Sequence, residues 1–126
     1  MPLAYDRAMA DDVSFQVEDL GTHTVVRANG FLDVSTSPRL RDALNEVPVG
    51  SNRYVLLDLG GIEFLDSSAL GVILSAWKHM HAEGSTLAVV SPHEHVTKIF
   101  EITALTLSID VHPSLDEARE RLGLSS

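Results

Sequence analysis

The stretch YVLLDLGG, residues 54–61, begins with six residues of which five are apolar. A short apolar run of this kind is typical of a strand that is buried on both faces of a sheet. The two glycines predict the end of that strand, and residues 62–66 are expected to form a loop. From about Ser67 to Ala82 apolar residues recur at helical spacing, which predicts a long helix directly after the central strand.

The rest of the chain alternates in the same way between strand and helix. Before the central strand we predict strands at 13–17 and 23–28, the second ended by Asn29-Gly30, and a helix that starts within 35–38 and ends near 47. After the long helix we predict a strand at 87–90 and a helix that starts within 91–94 and includes 96–100. A strand at 107–111 and a helix at 114–122 complete the predicted elements. This order predicts an α/β fold: a mostly parallel sheet with an N-terminal β-hairpin and with helices packed on it. Residues 1–12 are expected to form a flexible tail, and residues 13–126 a single domain.

Charge and composition exclude several classes of function. The 126 residues carry 18 Asp and Glu against 9 Lys and Arg, a net charge of −9, and 44% of them are hydrophobic, as in an ordinary folded domain. An acidic chain repels nucleic-acid phosphates and anionic lipid heads, so we expect no direct nucleic acid and no membrane partner. There is no cysteine, and no apolar run approaches the roughly 20 residues that span a bilayer. These features favour the cytoplasm.

Catalytic and metal-binding motifs are also missing. The sequence holds no G-x-S-x-G, G-x-G-x-x-G or G-K-[ST] pattern, so we predict neither enzyme activity nor a cofactor. The pairs His79/His81 and His93/His95 have i, i+2 spacing, which on a helix separates two side chains by about 200°. Zinc-binding helices use i, i+4 spacing, so no metal site is predicted. His79 and His81 are instead expected in the last turn of their helix, near the negative end of its dipole.

The stretch FLDSSALGV, residues 64–72, carries the strongest functional signal. It lies where the central strand ends and the long helix begins. At this point unpaired N–H groups and the positive end of the helix dipole would tolerate a phosphate on a serine. A purely structural interpretation is also available, because Asp66, Ser67 or Ser68 could cap the helix, an interaction worth about 1 kcal/mol. The residue types alone leave both interpretations open.

One face of the same helix carries a stripe of small residues. Ser68, Gly71 and Ser75 line up at helical spacing, and no acidic residue occurs from Ser67 through Ala82. Such a face offers a smooth surface that another chain could approach closely. A helix that is mostly buried would lack acidic residues as well.

Two segments resemble the STAS domain of bacterial anti-sigma factor antagonists. They are GFLDVSTSPRL, residues 30–40, and VLLDLGGIEFLDSSALGV, residues 55–72. The similarity extends, in the same order of elements, from about Val13 to Leu122. It implies a STAS-like fold and a regulatory protein that, when unphosphorylated, binds an anti-sigma factor and so frees the sigma factor for transcription.

The resemblance also implies partners and a modification site. In this family the anti-sigma factor doubles as a serine kinase that uses Mg-ATP, and a PP2C-type phosphatase reverses the modification. The first serine after the motif's aspartate, here Ser67, is the implied phosphorylation site, and Asp33 is implied to lie at the partner surface near it. The other predicted partner-binding residues are Phe31, Asp66 and the small-residue stripe Ser68, Gly71 and Ser75.

Two positions depart from the family pattern. Ala69 stands where Gly follows the serine pair; alanine is the better helix former and leaves the acceptor hydroxyl in place. Phe31 stands where family members commonly carry Glu, and an apolar side chain at the contact edge is expected to change which partner binds. Closing a partner over a phosphate on Ser67 beside Asp66 would cost several kcal/mol, so phosphorylation is expected to switch binding off.

Two other functions remain open at this stage. A STAS domain could instead be an interaction module of a larger signalling or lipid-transport assembly, in which Ser67 caps its helix and is never phosphorylated. A small enzyme could use the Asp33 and Asp66 carboxylates near the serine pair. That enzyme would need a concave pocket with perturbed carboxylates beside the serines.

Overall fold

A computed structural model describes residues 13–51, 53–107 and 109–124, the side chains of 103–107 excepted. The predicted tail, residues 1–12, lies outside this range. The elements are β1 Val13–Asp19, β2 His23–Leu32, α1 Ser37–Asn45, β3 Tyr54–Leu65, α2 Ser67–Ala82, β4 Thr86–Val90, α3 Glu94–Leu107, β5 Val111–His112 and α4 Leu115–Leu122.

The strands form one sheet in the order β1-β2-β3-β4-β5. β1 and β2 are an antiparallel hairpin, and each later strand joins its neighbour in parallel. The predicted α/β fold, with its hairpin and mostly parallel sheet, is therefore confirmed. The bounds predicted for the long helix, Ser67 to Ala82, are those of α2.

The sequence predicted that strands end at Asn29-Gly30 and at Gly60-Gly61, and both predictions were wrong. β3 continues through Gly60-Gly61 to Leu65, and β2 continues through Asn29-Gly30 to Leu32. The two strands stay paired because register shifts, typical of β-bulges, absorb the glycines. At Gly61 an added Cβ would meet the Asn29 side chain, which would have to move aside, so the glycine lets the two strands approach closely. These bulges lengthen both strands and carry their ends to one edge of the sheet.

The last predicted strand, residues 107–111, was also wrong. α3 runs on to Leu107, and β5 consists of Val111 and His112 alone. Ile109 is buried although it lies outside any strand, so its apolar character reflects packing rather than a strand period.

The two faces of the sheet are covered unequally. Residues of α1, α2 and α3, among them Leu40, Ile73 and Phe100, pack on one face in the main core. The other face holds a smaller cluster, in which Ala118 of α4 packs against residues of β2, β3 and β4: Val25, Leu56, Ala88 and Val90.

Candidate functional site

The two resembling segments meet at the carboxyl ends of β2 and β3. Leu32 and Leu65 are register partners at the ends of these strands. The Asp66 amide then donates a hydrogen bond of 3.0 Å to the Leu32 carbonyl. The β2–α1 turn and the start of α2 are thereby joined, at the edge of a parallel sheet where binding sites commonly form.

Asp66 is the N-cap of α2. Its Oδ1 accepts hydrogen bonds from the Ser68 amide at 2.9 Å, the Ala69 amide at 3.1 Å and the Ser68 hydroxyl at 2.6 Å. The Ser68 hydroxyl, with the amides of Ala69, Ser68 and Val34, holds the pKa of the Asp66 carboxyl below its ordinary value, against a smaller raising effect of burial. Asp66 thus satisfies the helix start and ties it to the β2–α1 turn.

Ser67 is left outside this network. It is the first residue of α2 and is exposed, and the described residues form no hydrogen bond with its hydroxyl. Its neighbour Ser68 is partly buried and donates its hydroxyl to Asp66. Of the three candidate caps, the structure uses Asp66 as the cap and Ser68 as its donor. The Ser67 hydroxyl is free to react at the positive end of the helix dipole.

Asp33 organises the turn between β2 and α1. Its Oδ1 accepts from the Ser35 amide at 2.9 Å and the Thr36 amide at 3.1 Å. The Thr36 hydroxyl accepts from the Asp33 amide at 2.9 Å and donates to the Phe31 carbonyl at 2.8 Å. Asp33 therefore shapes the loop that stands beside Asp66.

The geometry gives little support to a carboxylate enzyme. An acid–base pair would need a carboxyl whose pKa is raised toward neutrality, in a pocket. The pKa of Asp66 is lowered instead, and its Oδ1 is committed to the helix start. The groove between α1 and α2 is lined by Ser68 but by neither Asp33 nor Asp66.

Three exposed apolar residues, Phe31, Val34 and Phe64, stand near the carboxyl ends of β2 and β3 and form what we call the apolar patch. Their exposed fractions are 39%, 72% and 47%, and they are three of the five large hydrophobic residues exposed in the described part. Phe31 and Phe64 are register partners on β2 and β3, so their side chains share a face. Exposed apolar residues gathered in this way are typical of a protein-binding surface.

Val34 and Phe64 were not among the predicted site residues. Phe64 was placed in a loop, whereas it stands in β3 with Leu65 buried beside it. The signal that could have found it is the apolar residue on each side of Glu63, which continues a strand pattern beyond the glycines. Val34 carries no such pattern and emerges only from its exposure in the turn.

A groove of about 470 Å³ runs between α1 and α2. The predicted small-residue stripe, Ser68, Gly71 and Ser75, lies along it, and an added Cβ at Gly71 would meet nothing within 4 Å. Arg41 and His79 also line the groove. The structure therefore brings Ser68, Gly71 and Ser75 onto one surface, and Phe31, Asp33, Asp66 and Ser67 to the adjoining strand ends.

Three of the four paired histidines, His81, His93 and His95, make local contacts. His79 and His81 lie in the last turn of α2, as predicted, and His81 stacks on Trp77 with ring centroids 5.1 Å apart. His93 Nε2 lies 2.9 Å from the Gly60 carbonyl oxygen. Within residues 13–51, 53–107 and 109–124, no three His, Cys, Asp or Glu side chains group as a metal site. Nor is any helix in those ranges long and apolar enough to cross a membrane.

The chain resembles a known domain family and several bacterial proteins. The STAS domain family model matches residues 14–118. The anti-sigma-B factor antagonist of Listeria monocytogenes is 27% identical over 101 residues, which cover 79% of this chain and 89% of that protein. That of Staphylococcus aureus is 28% identical over 80 residues, 64% of this chain and 74% of that protein.

Solved structures show the same fold. An anti-sigma factor antagonist from Mycobacterium paratuberculosis matches with a TM-score of 0.76 at 27% identity, over 88% of this chain and 94% of that chain. The phosphorylated form of the Bacillus cell fate determinant SpoIIAA matches with a TM-score of 0.64 at 22% identity, over 86% of this chain and 99% of that chain. At that identity the second likeness shows a shared fold alone.

Proposed function

This chain belongs to the STAS domain family, and from that premise we propose that it acts as an anti-sigma factor antagonist switched by phosphorylation of Ser67. In its unphosphorylated form it binds an anti-sigma factor, which then releases its sigma factor. The names of the similar proteins from Listeria, Staphylococcus and Mycobacterium support this class of function. The protein supplies a binding surface and an acceptor hydroxyl, and the partner supplies the chemistry.

The difference between two adjacent serines carries the proposal. The Ser68 hydroxyl is donated to Asp66 at 2.6 Å and contributes to the helix cap. The Ser67 hydroxyl is exposed and has no partner among the described residues, so a kinase can reach it without breaking the cap. A serine at a helix start usually serves as a cap. Here Asp66 fills that role, and Ser67 is spare.

The charge of a phosphate explains the switch. A phosphoserine adds about −1.5 to −2 charge, which the N–H groups and dipole at the start of α2 tolerate, so the fold survives. A partner that packs on Phe31, Val34 and Phe64 would have to strip water from that dianion beside the Asp66 carboxylate. A charge desolvated without a matching partner costs several kcal/mol, which is enough to separate the complex.

The partner surface in this proposal has two parts. One is the apolar patch; the other is the groove between α1 and α2 with its small residues, Ser68, Gly71 and Ser75. Because Phe31 is apolar where the family commonly carries Glu, the cognate anti-sigma factor should present an apolar contact at this position. A partner selected for Glu would bind this protein less well.

The proposal assigns three roles to other molecules. The anti-sigma factor is the serine kinase and brings its own Mg-ATP, and a PP2C-type phosphatase restores the unphosphorylated form. This chain itself needs no cofactor for the cycle. Because the cycle acts on transcription, the proposal places it in the bacterial cytoplasm.

Incubation with the anti-sigma serine kinase of the same organism and Mg-ATP tests the assignment. We expect the intact mass to rise by one phosphate, and fragment masses to place the phosphate on Ser67. Ser67→Ala should block the mass change, whereas Ser68→Ala should not. Phosphate on Ser68 with Ser67 untouched would contradict the site. A failure of every such kinase to modify the protein would favour a STAS interaction module of another role.

A further inference from the structure

A buried histidine connects the sheet to α4. His23 of β2 is fully buried, and it shares a face with Val25, in the smaller apolar cluster beneath α4. Its Nε2 receives a hydrogen bond from Arg119 Nε of α4 at 3.3 Å. Its Nδ1 lies 2.9 Å from the Thr22 hydroxyl oxygen. Both ring nitrogens are therefore engaged.

The Arg119 contact determines the protonation state of the ring. A guanidinium can only donate hydrogen bonds, so Nε2 must be an acceptor and carry no proton. The single proton of the neutral ring then sits on Nδ1 and is donated to the Thr22 hydroxyl. A second proton could go only to Nε2, where it would abolish the bond to Arg119 and place two cations in contact.

Arg119 provides a polar contact between α4 and the sheet. The helix has eight residues, and among the helices that the structure describes it alone contributes to the smaller cluster. Among the described residues, the other side-chain partner of Arg119 is Asp116, 4.0 Å away and fully exposed, a surface ion pair that contributes little stability. The inner anchor of Arg119, whose side chain is 15% exposed, is thus His23.

We propose that His23 and Arg119 form an acid-sensitive latch, in which protonation of His23 releases α4 and uncovers the apolar sheet face formed by Val25, Leu56, Ala88 and Val90. The latch is closed while the ring is neutral. It opens when Nε2 takes a proton, because Arg119 then loses its acceptor and is repelled. The device is independent of Ser67 and of the partner that binds there.

The groups around His23 act in opposite directions. Arg119 of α4 opposes protonation, while Glu18 of β1 favours it, although Glu18 also pairs with Arg27 at 3.0 Å. Tyr54 of β3 is the register partner of His23, and at the edge of the cluster Arg53 pairs with Asp19 at 3.5 Å.

Burial of the ring has the largest effect on the pKa of His23 and lowers it, and the charge of Arg119 lowers it further. The raising effect of the Glu18 charge is smaller, so the pKa of His23 stays below the ordinary histidine value of 6.5. The His23 ring therefore binds a proton more readily when α4 is released than when α4 is docked on the sheet. The stabilisation by the latch is present above pH 6.5 and is lost as the pH falls through the lowered pKa.

The second buried histidine on this face is His112 of β5. It is 5% exposed, and neither ring nitrogen has a hydrogen-bond partner among the described residues. It is the register partner of Val90 and so borders the same cluster. Because it is a second buried histidine beside the same cluster, a test of the latch has to separate the two histidines.

Nuclear magnetic resonance of the wild-type protein tests the latch directly. Ring ¹⁵N shifts should show the His23 proton on Nδ1 and a titration below the ordinary histidine pKa. Amide protection of Ala118 and Leu122, corrected for intrinsic exchange, should fall by roughly tenfold per pH unit within that window. The amides of Ala43 and Leu44 in α1 should keep theirs. A proton on Nε2, or protection of α4 that does not depend on pH, would overturn the proposal.

Two variants assign the effect to one histidine. His23→Gln offers a neutral acceptor to Arg119 but cannot be protonated, so the pH dependence of α4 protection should disappear. His112→Phe removes the other buried histidine, and the pH dependence should remain. Loss of the dependence in His112→Phe alone, or in neither variant, would contradict the latch. If His23→Gln does not fold, the wild-type ring shifts and α4 protection carry the test.

Discussion

The N-termini of α2 and α4 solve the same physical problem in different ways. The N-cap of α4 is Ser114, whose hydroxyl oxygen accepts from the Glu117 amide at 3.1 Å, so this hydroxyl is already used in capping the helix. The N-cap of α2 is Asp66, whose carboxylate accepts from the amides of Ser68 and Ala69. The serine of α4 holds the helix together, whereas Ser67 of α2 has no such duty.

The first turns of the two helices also differ in charge. α4 carries Asp116 and Glu117 there, whereas α2 carries no acidic residue. Carboxylates in the first turn neutralise the positive end of the dipole and would repel a phosphate. A serine near a helix start is thus a candidate switch only when another residue caps the helix and the first turn is not acidic.

A negative charge at Ser67 is expected to have the largest effect on partner binding. Ser67→Asp should weaken binding to the anti-sigma kinase by at least about tenfold, because it places an unmatched charge in the interface. Ser114→Asp, the matched control, adds the same charge at the α4 cap, where Asp serves as well as Ser, and should bind like wild type. Isothermal titration of both variants measures the difference. Equal weakening by both would mean that net charge, rather than position, governs binding.

Removing the caps should separate their structural roles. Asp66→Ala should lower the free energy of unfolding by about 2 kcal/mol and Ser114→Ala by about 1 kcal/mol, since the carboxylate accepts more hydrogen bonds. Ser67→Ala should stay within about 0.5 kcal/mol of wild type. Urea denaturation measures all three. A loss for Ser67→Ala as large as that for Asp66→Ala would show that Ser67 is structural.

The Asp66 cap should also depend on pH. Because its pKa is lowered in the folded protein, its stabilisation is present above the ordinary aspartate value of 3.8 and is lost as the pH falls through the lowered pKa. Asp66→Asn keeps the shape and cannot titrate. The difference in unfolding free energy between wild type and Asp66→Asn should therefore shrink on acidification. A difference that is constant from neutral pH to pH 3 would contradict this account of the cap.

The apolar patch should contribute to binding without contributing much to stability. Phe31→Ala should weaken the complex with the anti-sigma kinase by about 1 to 2 kcal/mol, as expected for an aromatic anchor. Val17→Ala is the matched control, since Val17 is 48% exposed on β1, outside the patch. Titration of the two variants compares them. If Val17→Ala weakened binding as much as Phe31→Ala, the patch would not be the contact surface.

The smallest expected effect is that of Ser68→Ala. It removes the 2.6 Å hydrogen bond to Asp66 and should cost about 0.5 to 1 kcal/mol of stability. It should also raise the pKa of Asp66 toward its ordinary value, which carboxyl resonances in a pH titration would show. An unchanged Asp66 titration would mean that the Ser68 hydroxyl does not hold this carboxylate.

Sequence patterns predicted the long-range order of the fold better than its local breaks. The helix period from Ser67 to Ala82 and the apolar run at 54–59 predicted α2 and the core of β3, because both signals come from burial. Gly60-Gly61 and Asn29-Gly30 misled the prediction because such pairs usually mark turns. Here they permit bulges, and only the pairing of β2 with β3 reveals that.

The candidate site divides in the same way. The motif at residues 64–72 identified the position, but the choice among Asp66, Ser67 and Ser68 as the cap could not be made from residue types, since all three are good caps. The hydrogen bonds in the structure identify Asp66 as the cap. The contact between His23 and Arg119, 96 residues apart in sequence, leaves no local pattern and required the fold.

Charge at Ser67 is expected to control partner binding while the fold stays intact. The most direct test is the affinity of the anti-sigma kinase for the unphosphorylated protein and for protein phosphorylated on Ser67, at one salt concentration. We expect the unphosphorylated form to bind and the phosphorylated form to bind at least about tenfold more weakly, with equal circular dichroism spectra. Equal affinity of the two forms would contradict it.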